Sequence, residues 1–168
     1  MIVYDHLLFR NYMDMLNKYV LPSVKQIVVM RDPRDQFLSG FRRDLKYLPR
    51  SAKKFKDLYL YRVKEFSPSN PNRLCVRFED LVLRYEETTK KIMEFVGLDP
   101  KNHVAPKSVF DPSLSVANIG AYRYFHQQEF MSDLEKSLKQ FCFYPERENL
   151  SEDARLLLKS SGNWEGIL

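Results

Sequence analysis

Apolar positions recur along this chain with two different periods, and the change from one to the other outlines its elements. Between residues 6 and 20, Leu8, Tyr12, Met15, Leu16 and Tyr19 fall at helical spacing, which predicts an amphipathic helix stopped by Pro22. Gln26–Met30 (QIVVM) is almost wholly apolar and rich in β-branched residues, the pattern of a short strand buried on both faces. Asp32 then reads as a helix N-cap with Pro33 at the first helical position and Asp35 as a second negative charge in the first turn. That helix is expected to continue to about Tyr47, before Pro49. Residues 50–66 form a further helical stretch, basic and aromatic by turns, closed by the loop-like SPSNPN at 67–72. Arg73–Phe78 alternates as a strand does, and a helix from about Glu86 to Val96 follows, with Thr89, Ile92, Met93 and Val96 turned inward and Gly97 as its stop. Residues 99–120 carry three prolines and no period, and predict a long ordered loop. Ser132 and Glu135 have capping-box spacing for a helix through Phe141, and Ser151 suits the cap of a last short one.

The order helix, buried strand, tight turn, helix predicts an α/β fold with a parallel sheet. Two strands, or three if Met1–Tyr4 is one, make a poor sheet, so either the fold is minimal or part of the sheet lies outside this chain. Length suits a single domain over 1–168 with residues 146–168 as a C-terminal extension. An apolar share of 44% with 14% aromatics supports an ordered core and excludes wholesale disorder. No apolar run approaches the roughly 18–20 residues of a membrane span, and the N-terminus lacks the pattern of a signal peptide, so a cytoplasmic location is expected. Cys75 and Cys142 are too few for a disulfide scaffold and lack metal-ligand spacing; they read as reduced, mostly buried thiols, and no metal is expected.

Charge changes the picture. The net charge is +5, yet residues 25–64 hold twelve Lys or Arg against four Asp, a local +8. A concentrated basic stretch is either a solvated face or a site for an anionic partner such as phosphate, sulfate, nucleic acid or an acidic glycan. Position favours an anion near Arg31. In an open α/β sheet ligands bind at the carboxyl ends of the strands beside helix N-termini, and Arg31 stands where strand becomes helix. Ser39, eight residues on, could add a hydroxyl donor. Asp-Pro alone is also an ordinary cap, so spacing by itself leaves both readings open.

Read in order, three blocks resemble the sulfotransferase family that uses 3′-phosphoadenosine 5′-phosphosulfate (PAPS). Val28-Val29-Met30-Arg31-Asp32-Pro33 with Ser39 is similar to the family's strand ending in Arg-(Asp/Asn)-Pro with a Ser eight residues after the Arg. Val76-Arg77-Phe78-Glu79-Asp80-Leu81, with Phe95-Val96-Gly97 beyond it, resembles its strand-Tyr-Glu-Asp-Leu segment, Phe78 standing for the usual Tyr near the adenine. Asn118-Ile119-Gly120-Ala121-Tyr122-Arg123 is similar to the C-terminal loop that closes over the 3′-phosphate through backbone N–H groups. The resemblance covers roughly residues 1–145. It implies a three-layer, P-loop NTPase-like parallel-sheet fold and PAPS as cofactor, with Arg31 and Ser39 on the 3′-phosphate and Phe78, Asn118, Ile119, Gly120 and Arg123 around the nucleotide.

The family's N-terminal strand, phosphate loop and helix, which grip the 5′-phosphosulfate, find no match here. The resemblance therefore implies a C-terminal portion of the fold, lacking on the order of one hundred residues. His6, 25 positions before Arg31, is the candidate catalytic base; an uninvolved helix histidine is the competing reading, and His103 and His126 read as loop or surface residues. In complete form the implied activity is sulfuryl transfer to a hydroxyl, on a small molecule or a glycan. A catalytically inactive remnant and a basic module that binds nucleic acid or acidic glycan through 42–64 are the alternatives, and no specific nucleic-acid partner is expected. A truncated sheet would leave a strand edge that favours self-association.

Overall fold

A computed structural model describes Tyr19 and residues 24–43, 46, 48–63 and 71–144. The expected helix over 6–20, except Tyr19, and the Met1–Tyr4 strand lie outside those residues, as do the extension at 146–168 with its Ser151 cap, and His6. Described are strand β1 (Gln26–Met30), helices α1 (Pro33–Arg42) and α2 (Ala52–Val63), strand β2 (Arg73–Arg77), helices α3 (Phe78–Leu83), α4 (Tyr85–Val96), α5 (Pro112–Ser115) and α6 (Gln128–Leu138), and several single 3-10 turns. β1 and β2 pair in parallel, Gln26 opposite Arg73 through Met30 opposite Arg77, so the connection between them crosses over through α1 and α2. The α/β class with a parallel sheet is present, with two strands among the described residues. No described helix is long and apolar enough to cross a membrane.

Local chemistry accounts for most element ends. Asp32 caps α1 by accepting from the Arg34 N–H, with Pro33 at the first position. Gly97 closes α4 in the left-handed conformation at φ 81°, which a residue without Cβ adopts without strain. Asp99-Pro100 and Asp111-Pro112 start two further helical turns inside the expected loop.

Four expectations are corrected. β1 is not buried on both faces: Ile27 and Val29 are 41% and 53% exposed, because no described layer covers the face they share. α1 ends at Arg42 rather than near Tyr47, with Arg43 as its C-cap, whose N–H reaches the Ser39 and Phe41 carbonyls. Phe78 begins α3 instead of ending β2. Ser132 and Glu135 do not cap a helix; α6 begins at Gln128 and both residues lie inside it, Glu135 being drawn to Arg34.

The main apolar core lies beside the sheet. α1 and α2 pack against α6 and the 121–125 turn around Phe37, whose ring meets Phe55 edge-on at 5.2 Å and Phe130 at 4.3 Å between centroids. Leu134 and Leu138 of α6 are fully excluded from solvent. Burial of each such side chain stabilises the fold by about 1.5–3 kcal/mol. The core thereby fixes the inner face of α1, and with it the direction in which the Arg31–Asp35 turn points.

Candidate anion site at the carboxyl ends of the strands

Parallel register assembles the site. Because Met30 lies opposite Arg77, the next residue of each chain segment, Arg31 and Phe78, leaves the sheet side by side. The Arg31 guanidinium sits over the Phe78 ring at 4.9 Å, and its Nη2 donates to the Asn118 carbonyl at 2.5 Å. Its main-chain carbonyl accepts from Tyr59 Oη at 3.1 Å, tying α2 to the same turn. Arg31 Nε is buried and has no hydrogen-bond partner, and no described carboxylate forms an ion pair with this guanidinium. Arg42, on the last turn of α1, has its pKa lowered by burial and by the positive fields of Arg31 and Arg43.

Three acidic side chains hold the surrounding segments, and none of them pairs with Arg31. Asp32 accepts from Arg34 Nε at 3.0 Å, Arg34 Nη2 at 2.6 Å and the Phe143 N–H at 2.8 Å, and all of this is sealed from solvent apart from the chain at 143. Arg34 also donates to Glu135 Oε2 at 2.6 Å and lies 3.8 Å from the Tyr122 ring centroid. Burial opposes the Arg34 charge, but the hydrogen bond and the field of Asp32 outweigh it and hold the guanidinium firmly protonated. Glu79 Oε1 accepts from the Asp32 N–H at 2.8 Å, while its Oε2 is buried without a partner; burial raises this carboxyl above its usual range. Asp35, 2% exposed, accepts from the Gly120 N–H at 2.7 Å and the Tyr122 N–H at 3.0 Å. Burial pushes the Asp35 carboxyl up to about 7; Arg31 opposes the rise, Asp32 adds to it, and the two N–H bonds oppose it.

The sequence-derived candidates divide accordingly. Arg31, Phe78 and Asn118 meet, Asn118 through its carbonyl. Ile119 is buried, at 3% exposed. Gly120 has φ 74°, the backbone state for which its lack of a Cβ matters, but its N–H, expected on a 3′-phosphate, is spent on Asp35. Arg123 is exposed, its guanidinium 5.8 Å from the Tyr122 ring. Ser39 is half-buried two turns along α1, and no hydrogen bond joins it to Arg31 among the described residues. His103 and His126 lie half-buried and exposed, respectively, away from these contacts.

Sequence reasoning missed Asp35, Glu79, Arg34 and Arg42 as members of this assembly. The available signal was helical spacing: Arg31, Asp35 and Arg42 fall on one stripe at i, i+4 and i+11. No protein-family model matches the chain, and neither a curated protein nor a solved structure matches it significantly.

Proposed function

We propose that this chain is sulfotransferase-like: its Arg31 site binds the 3′-phosphoadenosine end of PAPS, and in complete form the protein transfers a sulfuryl group to a hydroxyl acceptor, a small molecule or a glycan. The observation that carries this reading is a guanidinium with no carboxylate partner among the described residues, at the carboxyl ends of two parallel strands, between an aromatic ring and the 118–120 turn. A planar, two-pronged set of donors suits a phosphate monoester, and the ring of Phe78 offers an apolar border to a base. The parallel pairing with a helical crossover accords with a larger three-layer sheet of which β1 and β2 are a part. Since Gly120 gives its N–H to Asp35, the phosphate on this reading relies on Arg31, with the Ser39 hydroxyl as second donor.

In the transfer itself the acceptor oxygen attacks sulfur, the bond from sulfur to the 5′-phosphate oxygen breaks, and adenosine 3′,5′-bisphosphate leaves while a base takes the acceptor proton. Thermal melting with millimolar adenosine 3′,5′-bisphosphate tests the binding half directly. The expected result is a rise in Tm that Arg31→Ala largely removes, since one charge-assisted contact contributes about 1.5–3 kcal/mol. No rise in the unaltered protein would overturn the proposal.

A further inference from the structure

We infer that Asp35 is a proton-linked positioning residue of the anion site: its carboxylate holds the 118–124 turn against α1, and occupation of Arg31 by an anion is coupled to uptake of a proton by Asp35. This rests on the reading of Arg31 as an anion site.

The geometry gives Asp35 two connections. Its two oxygens hold the Gly120 and Tyr122 N–H groups, and the turn they belong to carries Asn118, whose carbonyl is the acceptor for Arg31 Nη2. One side chain on α1 therefore sets the position of the segment that borders the guanidinium. Asp35 also lies in the field of Arg31, which opposes the rise of its carboxyl, and the turn that Asp35 holds is the one whose Asn118 carbonyl meets the Arg31 guanidinium. An anion bound by Arg31 adds negative charge close to a fully buried carboxylate, and the cost of keeping Asp35 ionised rises.

The other charged groups around Asp35 do not offset this. Asp32, in the same connection, adds to the negative field but is occupied by Arg34 and the Phe143 N–H. From α6, Glu135 is bound to Arg34, and from the start of α3, Glu79 reaches the Asp32 N–H. From α2, Tyr59 contributes a neutral hydroxyl whose pKa burial raises further. The 118–124 turn itself presents main-chain N–H groups to Asp35, and its one basic side chain, Arg123, is exposed. Arg31 is the cation that opposes the rise of the Asp35 carboxyl, so neutralising Arg31 with an anion is felt at Asp35. By reciprocity, protonation of Asp35 strengthens anion binding.

The test is calorimetric titration of adenosine 3′,5′-bisphosphate near pH 7.5 in two buffers of different ionisation enthalpy, on the unaltered protein and on Asp35→Asn. The ligand's own phosphates titrate alike in both, so the expected result is a larger proton uptake by the unaltered protein. Equal uptake overturns the coupling while leaving the anion site standing; no binding by the unaltered protein overturns the site and the coupling together. Should Asp35→Asn fail to fold, the unaltered protein is tested with inorganic sulfate instead. Inorganic sulfate keeps its charge across neutral pH, and its affinity, read from the melting shift against chloride at equal ionic strength, should fall about three- to tenfold from pH 6 to pH 8. An affinity that is flat over that range overturns the inference.

Discussion

Asp-Pro begins a helical turn three times in this chain, and the first and last of these turns have different roles. At Asp111-Pro112 the carboxylate accepts from the Ser113 N–H at 2.9 Å and the Ser113 hydroxyl at 2.7 Å, and Leu114 beyond it is 74% exposed. At Asp32-Pro33 the same local bond forms, to the Arg34 N–H at 2.8 Å, but the carboxylate goes on to hold the Arg34 guanidinium and the Phe143 N–H, and it is 1% exposed. One motif therefore makes a surface cap in one place and a buried junction of β1, α1 and the chain after α6 in the other. The lesson is that a cap's local geometry says nothing about its energetic weight. The weight depends on what else the carboxylate must satisfy once solvent is gone.

The comparison breaks if the two kinds of turn respond alike to mutation. Asp32→Ala should have the largest effect, about 3–5 kcal/mol of lost stability in urea unfolding, because it leaves the fully buried Arg34 guanidinium with only the partly exposed Glu135 as carboxylate partner and removes the acceptor of the Phe143 N–H. A cost no greater than that of an exposed cap would show Arg34 to be satisfied without it. The pH dependence of unfolding sharpens the same contrast with an intermediate effect. Asp35 titrates near 7 in the folded protein and in the ordinary carboxylate range, near 4, when unfolded. The folded state therefore binds its proton more tightly, and stability should fall as pH rises from about 4 to about 7 and then level off; Asp35→Asn should flatten that limb. Asp111 has the opposite sign. Its pKa is lowered by the Ser113 hydroxyl and N–H, so its contribution is present above the unfolded value and is lost as pH falls through the folded one. The smallest effect belongs to Asp99→Ala, which removes a single exposed bond to the Lys101 N–H; about 0.5 kcal/mol is expected by the same urea measurement.

Much of the local structure was legible. The β-branched run at Gln26–Met30, the cap at Asp32 and the stop at Gly97 each follow from interactions within a few residues, and each stands where the pattern puts it. The capping box at Ser132 and Glu135 failed for an equally physical reason. Arg34, 101 residues away, offers Glu135 a buried guanidinium, which outweighs an exposed main-chain N–H. Of the proposed site, the residue types at Arg31, Phe78 and Asn118 were marked in advance, whereas the use of the Gly120 N–H by Asp35 was not.

Local pattern by itself determined most of the helical and extended segments and that positive charge concentrates between residues 25 and 64, because caps, periods and charge runs act over a few residues. Which of its acids and guanidiniums are neutralised was decided only in three dimensions. The register that sets Arg31 beside Phe78, and the folding back of residues 118–143 that delivers N–H groups to Asp35 and Asp32, join positions 47 to 111 residues apart. Desolvation then leaves Arg34 compensated by carboxylates and Arg31 without one among the described residues.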